Sequence, residues 1–279
     1  MYLSLSVRVA ESFTNKRIST VPLADIANTA NHAGYRALCM RASVVAADAD
    51  AARQAAVLAT VKRRGLSISM VTPDFAVPEN SPEGPAVLRN IEPALDLCEQ
   101  LECDLIRVCL KAEPDIEAAQ RASDQARERG IRLAHQCHTQ SLFETIEGCL
   151  NVCRRIGRPN FGLIYEPANL ALCGQPYGRE AIERLADVIF NVYLQNHTPD
   201  PQGTLMMDTW SQGRIPTTLH RFTDPGGIDM AAVILGLKDI DYTGSVTLHH
   251  TQLDVVSPLE AAANSAGFLL ELMASGQPC

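Results

Sequence analysis

The stretch IRLAHQCHTQ, residues 131–140, has the pattern of a short strand that ends in a polar cluster. Its first four residues are apolar apart from one arginine, and four residues with polar side chains or a thiol follow. Successive side chains of a strand point to opposite faces, so Gln136 and His138 share one face, and His135 and Cys137 share the other. The cluster indicates either a polar site at the strand end or two histidines held by local hydrogen bonds.

The same pattern recurs at the ends of three later apolar segments. They end in Tyr165-Glu166, in Gln195-Asn196-His197 and in His249-His250. If these segments are parallel strands of one barrel, their carboxyl ends meet at one end of it. We therefore expect the polar side chains to converge on a single site.

Strand-like and helix-like segments alternate along the whole chain, which predicts parallel strands joined by helical crossovers. The predicted strands are 2–10, 35–41, 67–71, 105–110, 131–138, 161–166, 188–194 and 245–248. Eight such units in 279 residues fit a single-domain (β/α)8 TIM barrel spanning residues 1–279. A doubly wound open sheet is the alternative, but no glycine-rich phosphate-binding loop follows any strand.

Four connecting segments carry more detailed expectations. Residues 85–101 are predicted as one helix, and 141–156 as another in which Ser141 and Glu144 have the spacing of a capping box. Residues 72–81 are predicted as a loop. Residues 198–227 are also predicted as a loop, and a connection of that length is typical of a lid or a binding loop.

Composition excludes some functions. A net charge of −8 and a pI near 5.4 argue against nucleic acid as a partner. No apolar run reaches membrane-spanning length, so no membrane partner is expected. The nine cysteines are scattered and have no CxxC spacing, which favours reduced thiols and a cytoplasmic location.

Convergence of the strand ends would place a carboxylate, amide oxygens and imidazole nitrogens around one point. This donor set predicts a divalent-metal site. The candidate ligands are Gln136, Glu166, Gln195, His197 and His249. Each also has a structural interpretation: Glu166 could act as a helix-start anion, and Gln195 could bond the loop backbone.

The chain resembles the sugar isomerase/epimerase barrels of the xylose isomerase-like group. That group also includes tagatose-3-epimerase-like enzymes, dehydroshikimate dehydratases and the endonuclease IV type. The resemblance covers essentially the whole chain and rests on five segments in order: ANHAGYRALCMR, IRLAHQCH, PNFGLIYEPANL, NVYLQNH and DPGGIDMAAVILGLKDIDYTGSVTLHH. It implies a barrel fold, a small-molecule carbohydrate substrate and a divalent metal with four ligands, and it is compatible with a homodimer.

Several of the ligand positions that the resemblance implies hold other residues here. The usual strand-five glutamate falls on Gln136, and the strand-six aspartate and histidine fall on Glu166 and Asn169. The strand-seven histidine falls on Tyr193 and the strand-eight glutamate on His249. A glutamine amide accepts no proton at neutral pH, so the two-carboxylate proton transfer of the family is in doubt. A shell richer in imidazole favours zinc, cobalt, iron or nickel over magnesium, with manganese also open.

The sequence also offers candidate residues for catalysis and for substrate binding. His249, His138 and Glu166 are the candidates for proton transfer. Arg41, Arg8 and Arg107 lie on or near strand ends, where a cation could hold a carboxylate or a phosphate, or form salt bridges at the barrel rim. Asn169 is a further candidate for binding substrate. In the long loop, Trp210 and Arg214 could close over a sugar, or Trp210 could simply anchor the loop.

Three functions follow as expectations. The first is a metal-dependent isomerase or epimerase that moves a proton next to the carbonyl of a small sugar or keto-sugar. The second is a lyase on the same scaffold, a dehydratase or decarboxylase of an oxidised sugar or keto acid, which needs only one base. The third is a barrel without catalysis that serves as a binding or partner subunit. The acidic charge disfavours a nuclease.

Overall fold

The computed structural model describes residues 1–12, 14–73, 84–250 and 257–275. Its strands in chain order are Tyr2–Ser6 (β1), Ala37–Arg41 (β2), Ser67–Thr72 (β3), Leu105–Val108 (β4), Arg132–Gln136 (β5), Phe161–Tyr165 (β6), Ile189–Leu194 (β7), His197–Pro199 (β8), Leu205–Thr209 (β9), Gly213–Leu219 (β10) and Ser245–Leu248 (β11). Its helices are Leu23–His32 (α1), Ala51–Lys62 (α2), Ala86–Arg89 (α3), Glu92–Gln100 (α4), Pro114–Glu128 (α5), Ile146–Ile156 (α6), Pro167–Leu172 (α7), Arg179–Leu185 (α8), Met230–Asp239 (α9) and Pro258–Ala274 (α10).

Eight parallel strands close into one barrel, in the order β1-β11-β7-β6-β5-β4-β3-β2. Each of these strands is covered by other parts of the chain, which explains why its sequence is largely apolar without strict alternation. The predicted TIM barrel is confirmed, and all eight predicted barrel strands are present with ends shifted by a few residues.

The interior of the barrel holds one compact layer of side chains. It consists of Cys39, Met70, Leu105, Ala134, Ile164 and Tyr193, one from each of β2 to β7. Tyr193 is the largest of them, and its hydroxyl lies 3.3 Å from the Cys39 thiol. A second and larger core packs the outside of the barrel against the helices. Because side chains fill the interior, the barrel is a packed core and not a channel.

Local signals set the helix ends. The Asp50 carboxylate accepts a hydrogen bond from the Arg53 amide at the start of α2, and Asp229 does the same for Ala232 at the start of α9. Helix α6 ends at Gly157, whose φ of 61° is left-handed and costs glycine little. Among the described residues, no helix is both long enough and apolar enough to cross a lipid bilayer.

Two predicted elements are shorter or divided in the structure. The first strand ends at Ser6, and Val7–Ala10 forms a turn of 3-10 helix. The segment 85–101 contains two helices, α3 and α4, because Pro93 starts a second helix after the bend at Asn90. Only the first two residues of the predicted loop 72–81 lie within the described residues.

The prediction that residues 198–227 are a structureless loop is wrong. Fourteen of its thirty residues belong to a three-stranded antiparallel sheet with the order β8-β10-β9. A tight connection from Trp210 to Gln212 joins β9 to β10, and Gly213 after it has a φ of 74°, which suits glycine. The sequence signal was the short polar turn between the runs LMMDT and RIPTTL.

The predicted capping box at Ser141 is also wrong. Helix α6 starts later and is capped by Thr145, whose Oγ1 accepts a hydrogen bond of 2.9 Å from the Gly148 amide. The buried Glu144 carboxylate instead accepts hydrogen bonds from three backbone amides. They belong to Gln140 and, at 2.7 Å each, to Trp210 and Ser211 in the β9–β10 connection. Glu144 therefore fastens the antiparallel sheet to the barrel.

Replacing Glu144 with alanine should loosen this attachment. Hydrogen bonds to a charged acceptor are worth about 1.5–3 kcal/mol each, so we expect the Trp210 and Ser211 amides to exchange hydrogen roughly 10- to 100-fold faster. Hydrogen exchange followed by mass spectrometry measures this. The matched control is Glu147→Ala, which removes an exposed carboxylate three residues away. Unchanged exchange at Trp210 in the Glu144 variant would contradict the role of this carboxylate.

Candidate active site

A cavity of about 450 Å³ lies at the carboxyl ends of the barrel strands, which is a suitable size for a small-molecule ligand. Its wall is formed by Arg8, Glu11, Lys16, Arg41, Arg107, Gln136, His138, Thr139, Gln140, Leu205, Met206, Met207, Asp208 and His249. The barrel supplies the charged and polar part of this wall. Strand β9 supplies the apolar part together with Asp208.

Basic side chains outnumber acidic ones around the cavity. Within the described part of the chain, the wall residues Arg8, Lys16, Arg41 and Arg107 are accompanied by two acidic ones, Glu11 and Asp208, although the net charge of the sequence is −8. Burial, followed by the neighbouring charge of Arg41, lowers the pKa of Arg8 to about 10. Both effects leave the guanidinium charged at neutral pH. The cavity therefore concentrates positive charge that an anionic ligand would balance.

Arg41 is oriented by Glu11. Its Nε and Nη2 donate hydrogen bonds of 2.9 and 3.2 Å to the two carboxylate oxygens of Glu11, in the bidentate geometry that arginine favours. The third nitrogen, Nη1, is buried and has no hydrogen-bond partner among the described residues. A buried donor without a partner is costly, so Nη1 is suited to an oxygen of a bound anion.

Glu166 lies beneath the cavity wall and is fully buried. Its two carboxylate oxygens accept hydrogen bonds from the side-chain amides of Gln136 and Gln195. The Gln195 carbonyl in turn accepts a hydrogen bond of 3.1 Å from Nη1 of Arg8. Burial raises the pKa of Glu166 to about 8, while the Gln195 hydrogen bond and the charges of Arg8 and Arg107 oppose the rise. Although Glu166 precedes α7, its side chain does not cap that helix.

His138 faces the cavity from the loop after β5. Its Nδ1 lies 2.9 Å from the carbonyl oxygen of Thr139, so Nδ1 carries the proton of the neutral ring and Nε2 keeps a lone pair. Burial, then the charge of Arg107, lowers the pKa of His138 to about 3. The imidazole is therefore neutral at physiological pH and can accept a proton from a ligand.

His249 faces the same cavity from the end of β11. Its ring stacks on Tyr193 with centroids 3.8 Å apart, and its Nδ1 lies 3.0 Å from the Ser6 hydroxyl. Burial, followed by the charges of Arg8 and Arg41, holds the pKa of His249 well below its usual value. Two neutral imidazoles on separate strand ends thus border one positively charged cavity.

The structure brings together only part of the predicted site. Arg8, Arg41, Gln136, His138 and His249 line the cavity, and Glu166 and Gln195 lie directly behind it.

The remaining predicted residues have other surroundings. His197 is buried outside the cavity wall, at the start of β8. Asn169 donates a hydrogen bond of 2.8 Å to the Cys137 carbonyl. Trp210 occupies the β9–β10 connection with 57% of its surface exposed, so it does not cover the cavity. Arg214 is exposed and lies 3.8 Å from Asp208.

Sequence reasoning missed some of the cavity wall. Glu11 and Lys16 were not proposed, because the first strand was expected to continue past Ser6 and no partner for Arg41 was identified. The wall residues of β9, from Leu205 to Asp208, are absent from the predicted site because the sequence of 198–227 predicts a loop.

A divalent cation does not fit the described side chains at this site. Within residues 1–12, 14–73, 84–250 and 257–275, no three His, Cys, Asp or Glu side chains are grouped to hold a metal ion. The two oxygens of Glu166 already accept amide hydrogen bonds. Among the other predicted ligands, the Gln136 carbonyl and His197 Nε2 are buried without a partner in the described residues, and His197 lies outside the cavity wall. A divalent ion about 6 Å from one guanidinium would be repelled by roughly 5 kcal/mol at an effective dielectric constant of about 20. The predicted metal site is thus not formed by these side chains.

Residues 27–272 match the family model of the xylose isomerase-like TIM barrel. No curated protein matches the sequence significantly. Solved structures with the same fold include D-psicose 3-epimerase in the presence of D-fructose, with 12% identity, coverage of 99% and 100% of the two chains and a TM-score of 0.71.

Two further structures have similar scores. A probable 3-DHS dehydratase from Bacillus anthracis has 11% identity, coverage of 97% and 99% of the two chains and a TM-score of 0.70. A xylose isomerase-like TIM barrel protein from Mycobacterium smegmatis in complex with magnesium has 13% identity, coverage of 98% and 96% and a TM-score of 0.70. At these identities the likeness is one of fold.

Proposed function

Because this chain belongs to the xylose isomerase-like TIM barrel family, we propose that it is an isomerase of a small sugar acid or sugar phosphate. The observation that carries the proposal is the group of three arginines on the wall of one cavity. Glu11 already pairs with Arg41, but the described wall still carries more positive than negative groups, and a carboxylate or a phosphate would pair with that excess whereas a neutral sugar would not. The proposed reaction moves a proton next to the carbonyl of that substrate.

The residues have separate roles in this proposal. Arg41, held by Glu11, binds the acidic group through Nη1, and the Gln136 carbonyl accepts a hydrogen bond from a substrate hydroxyl. His138 removes the proton through Nε2. The arginines that depress its pKa are partly neutralised when an acid binds, so the imidazole becomes a stronger base only with the substrate in place. Glu166 is a positioning residue because it does not reach the cavity.

The experiment starts from three probes: D-gluconate, D-fructose 6-phosphate and neutral D-fructose. We expect at least one of the two anions to raise the melting temperature, and D-fructose to have no effect. Arg41→Lys keeps a charge beside Glu11 but loses donors, so affinity for the anion should fall about 10- to 100-fold. Arg36→Lys, an exposed site before the start of the same strand, is the matched control. Equal stabilisation by D-fructose would contradict the acidic-substrate proposal.

Catalysis is tested separately by NMR in D2O. A substrate whose proton is moved next to a carbonyl should exchange that proton for deuterium, and His138→Gln should abolish the exchange while anion binding persists. D-Fructose 6-phosphate, which carries a carbonyl, is the first probe, and a panel of keto acids follows. Anion binding without exchange throughout the panel would replace the isomerase with the third expectation, a binding subunit.

A further inference from the structure

The side chains behind the cavity form a continuous chain of hydrogen bonds. It runs from the Arg8 guanidinium to the Gln195 carbonyl, from the Gln195 amide to Glu166, and from the Gln136 amide to the other oxygen of Glu166. These groups come from the turn after β1 and from the ends of β5, β6 and β7, which barrel closure brings together. The polar groups of four strand ends are thus bonded to one another.

This arrangement places a positive charge next to the carboxylate without a metal. Glu166 is fully buried, which favours its neutral form, whereas hydrogen-bond donors and nearby cations favour the charged carboxylate. Two amides supply the donors, and the charges of Arg8 and Arg107 interact with the carboxylate across them. Gln195 orients Arg8, because its carbonyl accepts from the guanidinium while its amide donates to Glu166.

We propose that the Arg8 guanidinium, held by Gln195 and Glu166, takes the place of a divalent metal ion in this barrel, so the site works without metal. A fixed guanidinium offers what a metal would offer to a bound oxyanion, which is positive charge at a set position, and it adds N–H donors. The same charge excludes a divalent ion from the strand ends. This role of Arg8 concerns the same cavity as the proposed function. Its evidence is the hydrogen bonds behind the cavity, and its test needs no substrate.

The first measurement is the metal content of the purified wild-type protein. We expect far less than one divalent ion per chain, and no change in melting temperature when EDTA is added. Mn²⁺ alone, titrated and followed by EPR, should not bind at micromolar concentrations. About one tightly held ion per chain, whose removal by EDTA lowers the melting temperature, would overturn the proposal. Because this measurement uses only the wild-type protein, its outcome does not depend on whether any variant folds.

The second measurement asks whether Arg8 is what excludes the metal. Arg8→Gln with Gln136→Glu removes the cation and adds a second carboxylate, so Mn²⁺ affinity should rise at least about tenfold over wild type. Arg36→Gln with Gln136→Glu is the matched control, since it makes the same charge change with the cation kept at position 8. If the first pair does not fold by circular dichroism, Arg8→Gln alone is compared with Arg36→Gln alone, so that the charge change stays matched. Equal Mn²⁺ affinity in the folded Arg8 variant and its control would overturn the role of Arg8.

A failed substrate screen would remove the proposed function and leave these metal measurements unaffected. Conversely, a bound metal in the wild type would overturn the present inference while leaving the binding of anions by Arg41 to be tested on its own.

Discussion

Replacing Glu166 with alanine should destabilise the folded protein by about 3–5 kcal/mol, because it leaves two buried amides without an acceptor and removes an acidic group that interacts with Arg8. The side chain is fully buried, so water does not reach the vacated acceptor position without a rearrangement. Urea unfolding at about pH 7 measures the change in the free energy of unfolding.

Two further variants test whether the loss of stability comes from the hydrogen bonds of Glu166. Glu166→Gln keeps the shape and one acceptor oxygen, so we expect it to cost less than alanine but more than a surface change. Glu183→Ala removes an exposed carboxylate on α8 and should alter stability by less than about 0.5 kcal/mol. If Glu166→Ala were as stable as Glu183→Ala, the hydrogen bonds behind the cavity would contribute nothing to the fold.

Acid should unfold this protein unusually early, because four buried histidines and the partly buried His138 are kept without charge. Burial lowers the pKa of His135, His138, His197, His249 and His250 below the ordinary value of 6.5, with His138 and His197 at about 3 and His250 at about 4. In the unfolded chain these rings take up protons as the pH falls through about 6.5, whereas in the folded protein they do not. Their contribution to stability is therefore full above about 6.5 and is lost as the pH falls.

The titration of Glu166 changes the stability of the fold in the opposite direction as the pH falls. Its folded pKa of about 8 lies above the ordinary 4.5, so the folded state takes up a proton first and gains stability as the pH falls between those values. The stability gained from this one carboxyl group is smaller than the stability lost from the five imidazoles. We expect the free energy of unfolding to fall by at least about 3 kcal/mol between about pH 7 and pH 5.

Urea unfolding at several pH values measures this loss. His250→Gln removes one of the five titrating rings and should reduce the dependence on pH, whereas His32→Gln on the exposed side of α1 should leave it unchanged. The same urea midpoint at about pH 7 and pH 5 would show that the buried histidines are not kept neutral by the fold.

The fold was predictable because its evidence is local and repeated. Each strand is a short apolar run, each helix has a recognisable beginning or end, and the alternation of the two allows few architectures. The hairpin of β9 and β10 was missed because a turn of Ser, Gln and Gly is weaker evidence than an Asn-Gly pair.

The site was less predictable because its chemistry depends on which polar groups bond to one another. The sequence places Gln136, Glu166 and Gln195 at strand ends, and from this they were predicted as ligands of a metal. In the structure the amides of both glutamines turn to the carboxylate between them. The choice between an external cation and these internal partners depends on rotamers and on the position of Arg8. The position of His197 was also not predictable, because a shift of one residue along a strand turns a side chain to the other face. In the structure His197 is buried outside the cavity wall.

The two sides of the cavity differ in how firmly they are held. On the barrel side, Arg41 is fixed by two hydrogen bonds and His249 by a stacked ring, so the acidic end of the proposed ligand would meet groups with little freedom. On the other side Leu205, Met206 and Met207 project from a three-stranded sheet, and methionine adapts readily to differently shaped surfaces. Recognition should therefore be strict for the acidic group of a ligand and tolerant for the length of its carbon chain. New substrate preferences in this barrel would then arise most easily by changing the residues of β9, without altering the strand ends that hold the charge.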